Sequence, residues 1–166
     1  MPSTTRRSWK GERASVSHAS KSRPRSNKYS GGDKEREARD AAIEDVISGL
    51  NVLIRPIARD RLKAAMATPA AISITSDATN LTISLDSLVY TAPLTGGSVK
   101  ATGITGDKLN LSYAISSAKI EQKFSGDQGG RVNTFTKSGE QLVMNVRVYS
   151  DKLPKDVKFK LTYKKA

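Results

Sequence analysis

The sequence predicts a mainly β protein: an antiparallel meander or half-barrel of about eight strands packed against one N-terminal, Pro-kinked amphipathic helix. A disordered basic arm precedes the helix. Three observations carry this. The hydrophobic period changes from three-and-four to two near Pro69, turn residues recur between the short apolar runs beyond it, and residues 1–32 almost lack branched aliphatics.

The arm comes first. Residues 1–32 hold Arg6, Arg7, Lys10, Arg13, Lys21, Arg23, Arg25 and Lys28 against Glu12 alone, interspersed with serine. So little apolar area cannot offset the chain entropy lost on folding, which predicts disorder. Gly31-Gly32 then forms a flexible joint before a single domain over 33–166.

Residues 33–66 read as the helical segment. Asp33 is a candidate N-cap, and Glu35 and Glu37 suit the positive end of the helix dipole. Ala42, Ile43, Val46, Ile47, Leu50, Leu53, Ile54, Ile57 and Leu62 share one stripe. Pro56 removes a backbone donor within it, so the spacing predicts one kinked helix or two abutting ones. Basic and acidic residues balance here.

From Ala71 to residue 165 the alternation is that of strands with one dry and one wet face. The apolar phase runs through Ile72 and Ile74; Leu81, Ile83 and Leu85; Leu109, Leu111, Tyr113 and Ile115; Ile120, Gln122 and Phe124. It continues in Leu142, Met144, Val146 and Val148, and in Val157, Phe159, Leu161 and Tyr163. Shorter runs occur at Leu88–Tyr90, Val99–Thr102 and Val132–Thr136. Gly96-Gly97, Gly106-Asp107, Gly126–Gly130, Ser138-Gly139 and Pro154 punctuate them.

Arg55-Pro56-Ile57-Ala58-Arg59-Asp60-Arg61-Leu62, Arg131-Val132-Asn133-Thr134-Phe135 leading into Gly139-Glu140-Gln141-Leu142, and the closing Leu153-Pro154-Lys155-Asp156-Val157-Lys158-Phe159-Lys160-Leu161-Thr162-Tyr163-Lys164 carry a resemblance. Over residues 38–165 the chain resembles small bacterial β-meander proteins, broadly lipocalin-like, of unsettled activity. The resemblance implies the fold and export, and supplies no catalytic residue.

Composition narrows the chemistry. The chain lacks cysteine, which excludes disulfides and thiolate sites. No run approaches the roughly 18 apolar residues of a membrane span. Arg6-Arg7 is not followed by the apolar stretch of an export signal, so the sequence leaves the compartment open. His18, the single histidine, lies in the arm without a positioned partner, so neither general-base nor metal chemistry is expected of it. The carboxylates of the β region fall mostly in turns, where Asp bonds its own backbone. Glu121, between Lys119 and Lys123, reads as part of a solvated charge ladder. Gly126–Gly130 lacks the lysine and helix start of a phosphate loop and reads as a hairpin. Arg55, Arg59, Arg61 and Lys63 read as a solvated face. No constellation supports an enzyme, and no cofactor or metal is expected.

Two binding readings follow. In the first, helix and curved sheet hold an apolar small molecule, lipid-like or peptide, against Tyr113, Phe124, Phe135, Phe159 and Tyr163. In the alternative, the arm's eight basic residues and the lysine-rich C-terminal strand bind nucleic acid or another polyanion.

Overall fold

The structure, a computed structural model, describes residues 27–31 and 35–166. The period change near Pro69 separates helices from sheet. Two helices, α1 (Arg36–Ile47) and α2 (Arg55–Ala65), follow strand β1 (Asn27–Gly31). Nine strands come after them: β2 (Ala71–Ser76), β3 (Asn80–Leu85), β4 (Leu88–Pro93), β5 (Val99–Thr102), β6 (Lys108–Ile115), β7 (Lys119–Ser125), β8 (Gly129–Ser138), β9 (Gln141–Ser150) and β10 (Val157–Lys165). All pair antiparallel in one sheet of order β4-β3-β2-β1-β10-β9-β8-β7-β6-β5. The sheet curls until β4 lies beside β6, leaving a nearly closed barrel with one seam.

The alternating residues fill its interior. Ile72, Ile83, Leu111, Met144, Leu161 and Tyr163 are among the fully buried side chains. Burying such a side chain is worth about 1.5–3 kcal/mol. The two helices close one end, with Ile43, Val46 and Ile47 of α1 and Leu62 and Met66 at α2 entering the same core.

The structure corrects two boundaries. Residues 27–31, expected to belong to the arm, form β1, which inserts between β2 and β10 with Tyr29 opposite both Ile72 and Lys165. Gly31, at φ 148°, is where the chain turns out of the sheet, and a Cβ there would press on the Thr162 carbonyl. The Thr162 amide, beyond the end of β1, donates instead to Glu35 at 3.1 Å. Residues 1–26, with most of the arm, and Asp33 lie outside the described residues.

The helical segment is two helices, and the break falls before Pro56. Over 48–54 the chain makes turns, with Asn51 Oδ1 accepting from the Leu53 amide. Arg55 reaches back to the Ser48 and Leu50 carbonyls, satisfying the open end of α1. Pro56 sits in the first turn of α2, where its missing donor costs nothing. Consequently Leu53, Ile54 and Ile57 leave the predicted core stripe and are 80%, 48% and 57% exposed.

Candidate functional site

Strand alternation points residues 131, 133 and 135 of β8 into the barrel, and two of them are polar. Arg131 and Asn133 are buried, as is Gln122 on the neighbouring β7. Buried polar groups need partners, and these supply one another. Arg131 Nε donates to Asn133 Oδ1 at 2.7 Å, and Asn133 Nδ2 donates to Gln122 Oε1 at 2.8 Å. Gln122 Nε2 donates to the Tyr113 hydroxyl at 3.1 Å, which donates to the Tyr90 carbonyl at 2.8 Å. The chain is directional: a cation at one end, a main-chain carbonyl at the other, each member donating to the next.

Arg131 also donates through Nη1 to the Ala65 carbonyl at 2.9 Å. This carbonyl ends α2, where the helix dipole favours a cation. Nη2 has no hydrogen-bond partner among the described residues, and neither has the Tyr90 hydroxyl. Both residues line one cavity of about 510 Å³. No carboxylate pairs with Arg131 among the described residues. Burial pushes its pKa down to about 10, which leaves it charged near neutrality. Burial likewise raises the Tyr90 phenol, against the opposing pull of the Arg131 charge. The site is therefore a buried positive charge beside a hollow, with two buried donors that lack a partner among the described residues.

Leu85, Leu109, Phe124 and Val148 give that hollow apolar walls. Its rim is built from the β5–β6 turn at 103–107 and the β7–β8 turn at 126–129, beside Ala65 of α2. Phe124 meets Tyr90 edge to face, ring centroids 4.8 Å apart.

The aromatic residues singled out by sequence are all buried, but they do not share one place. Phe124 lines the cavity, whereas Tyr113, Phe135, Phe159 and Tyr163 are absent from its lining. Tyr113 belongs to the polar chain, and Tyr163 donates to the Pro69 carbonyl at 2.9 Å. Of the basic residues assigned to the arm, Lys28 lies exposed on β1, and Arg6, Arg7, Lys10, Arg13, Lys21, Arg23 and Arg25 lie outside the described residues. Arg59 pairs with Glu44, not with Asp60. Sequence reading missed Arg131, Asn133 and Tyr90. The available signal was polar residues in the inward phase of an otherwise apolar alternation.

No family model matches the chain, and no curated protein matches it. Solved structures do. A point mutant of the "REP1-NXSQ fatty acid transporter" matches with TM-score 0.54 at 15% identity, covering 84% of this chain and 96% of its own. The transporter without that mutation matches with TM-score 0.50 at 16% identity, over 85% and 93%. Fatty-acid-binding protein 1 of Echinococcus granulosus gives 0.49 at 12%, over 85% and 95%.

The likeness shows the fold. Here the fold is a nearly closed antiparallel barrel of ten strands with two helices.

Proposed function

We propose that the protein is a binding module, not a catalyst, and that it holds an amphipathic anion of the lipid-carboxylate class inside the barrel. Buried Arg131 carries the reading. A cation withdrawn from water with only neutral partners is costly unless an anion completes it. A carboxylate from the ligand would accept from Nη2 and from the Tyr90 hydroxyl, replacing no existing bond. The apolar tail would lie along Leu109, Phe124 and Val148. A volume of about 510 Å³ falls within the usual range for small-molecule sites. The solved structures with this fold include a fatty acid transporter, which agrees with the chemistry derived from Arg131.

The test uses a fluorescent long-chain carboxylate and its methyl ester, titrated into the full chain and into Arg131→Met. Saturable one-to-one binding of the carboxylate is expected. Arg131→Met should weaken it by roughly 10- to 100-fold, the effect of losing a charged hydrogen bond, while ester binding changes little. Failure of both probes to saturate, or equal carboxylate affinity in the two proteins, would overturn the reading.

A further inference from the structure

The outer wall of the barrel is electrically lopsided. Strands β2, β3 and β4 contain no charged residue, and their outward positions are Ser73, Thr82, Ser84 and Thr91 among others. On the opposite side the outward positions of β10 are Lys158, Lys160, Thr162 and Lys164. Their neighbours continue the charge. Lys158 faces Arg147 across the β10–β9 ladder, Arg147 faces Val132, and Val132 faces Lys123 on β7. Exposed lysines also stand on β1, β5 and β6, as Lys28, Lys100 and Lys108, but the cations are densest on β7–β10.

The arrangement also carries a cost. Like charges directly opposed in a ladder destabilise a sheet, and Lys158 with Arg147 is such a pair. Little nearby relieves it. Asp156 reaches Arg147 only at 3.4 Å, and Asp45 is engaged by Lys155. Glu121 is the one acid among the outward strand positions of this wall. Among the described residues no ion pair includes Lys123, Lys158, Lys160 or Lys164. Between these cations runs a shallow groove of about 570 Å³ whose floor includes Val132 and Thr134.

We propose that this β7–β10 wall binds the phosphate backbone of single-stranded nucleic acid, without sequence preference. A lipid bilayer suits it less well, because the exposed large hydrophobic side chains lie elsewhere, on 52–57, 88–89 and 115. A convex wall also meets a plane only along a line, whereas a flexible polyanion follows the curve. The single aromatic in the outward phase of these strands, Tyr149, already carries the Arg147 guanidinium 5.3 Å from its ring centroid, so the wall reads phosphates, not bases.

The experiment measures binding of a labelled oligothymidylate to the full chain across a salt series. Affinity should fall linearly on a log–log plot, at roughly 0.7 per phosphate neutralised. The triple variant Lys158→Gln, Lys160→Gln, Lys164→Gln should weaken binding at least 10-fold and flatten the slope by about 2. The corresponding Lys→Arg triple should restore both. A control of equal charge away from the wall, Arg61→Gln, Lys63→Gln, Lys100→Gln, should bind nearly as the parent does. Equal loss in the control, no loss in the wall triple, or capture by phosphatidylserine vesicles with no oligothymidylate binding would each overturn the proposal. Carboxylate binding inside the barrel is read separately and should be unchanged in the wall triple.

Discussion

The Tyr113 hydroxyl on β6 donates to the Tyr90 carbonyl on β4 at 2.8 Å, joining two strands that the ladder does not pair. It is a side-chain stitch across the seam. The same oxygen accepts from Gln122, so the seam is tied through Asn133 to Arg131. Seam closure and the buried Arg131 are therefore joined in one network.

Tyr113→Phe should accordingly destabilise the barrel. The Tyr90 carbonyl and the Gln122 amide would each lose a partner in a buried setting, at about 1–3 kcal/mol. Urea unfolding would show a lower midpoint with an unchanged slope. Carboxylate affinity should fall less than in Arg131→Met, since the cation stays.

Gly130 sits where β8 enters the cavity rim. A Cβ there would overlap the Phe124 carbonyl oxygen and come within 2.7 Å of the Tyr149 hydroxyl. Gly130→Ala should therefore cost about 1–3 kcal/mol through forced backbone movement. The displaced strands flank Arg131, so the variant should also lose carboxylate affinity. A crystal structure or backbone chemical shifts would locate the displacement at Phe124 and Tyr149.

Phe124 and Phe135 should separate cavity from packed core. Phe135 is 2% exposed and lies outside the cavity lining. Its replacement by Ala should cost about 3–5 kcal/mol by leaving a void. Phe124→Ala opens into an existing hollow, so its stability loss should be smaller, with the larger change in preferred tail length. Thermal melts with a carboxylate chain-length series would check both.

Alkaline pH should act on binding and stability in distinct ways. Carboxylate affinity should stay flat through neutrality and decline above about pH 10, as Arg131 loses its proton. Burial lowers the Arg131 pKa, so between about pH 10 and its ordinary value the unfolded chain binds the extra proton. This group's contribution to stability therefore rises with pH there. Tyr113, raised to about 12 by burial, has the opposite sign. Its contribution is complete below about pH 10 and is lost as pH climbs through about 12. Alkaline melts of Arg131→Met and Tyr113→Phe should diverge from the parent in opposite directions.

Much of this architecture is legible from local pattern. Six of the strands coincide with period-two runs and three more with shorter runs, because alternation of side chains is a property of the strand backbone itself. The Gly126–Gly130 stretch forms the turn into β8 as its turn chemistry requires. The aromatic candidates were all inward, yet their phase could not distinguish Phe124 at the cavity from Phe135 in packed interior. Phase records which face a residue takes, not what stands opposite it.

The amino-acid order by itself determined the helical cap, the alternating sheet and the charge imbalance between β2–β4 and β10, since each depends on neighbours a few residues apart. Tertiary structure alone decided that Asn27–Gly31, polar and short, becomes a strand, because its hydrogen bonds come from β2 and β10. It decided equally that Arg131 is a buried cation held by neutral acceptors. The burial and acceptors that make it one come from Ala65, Asn133 and the barrel wall, and a guanidinium's place in water or in a cavity is set by what folds around it.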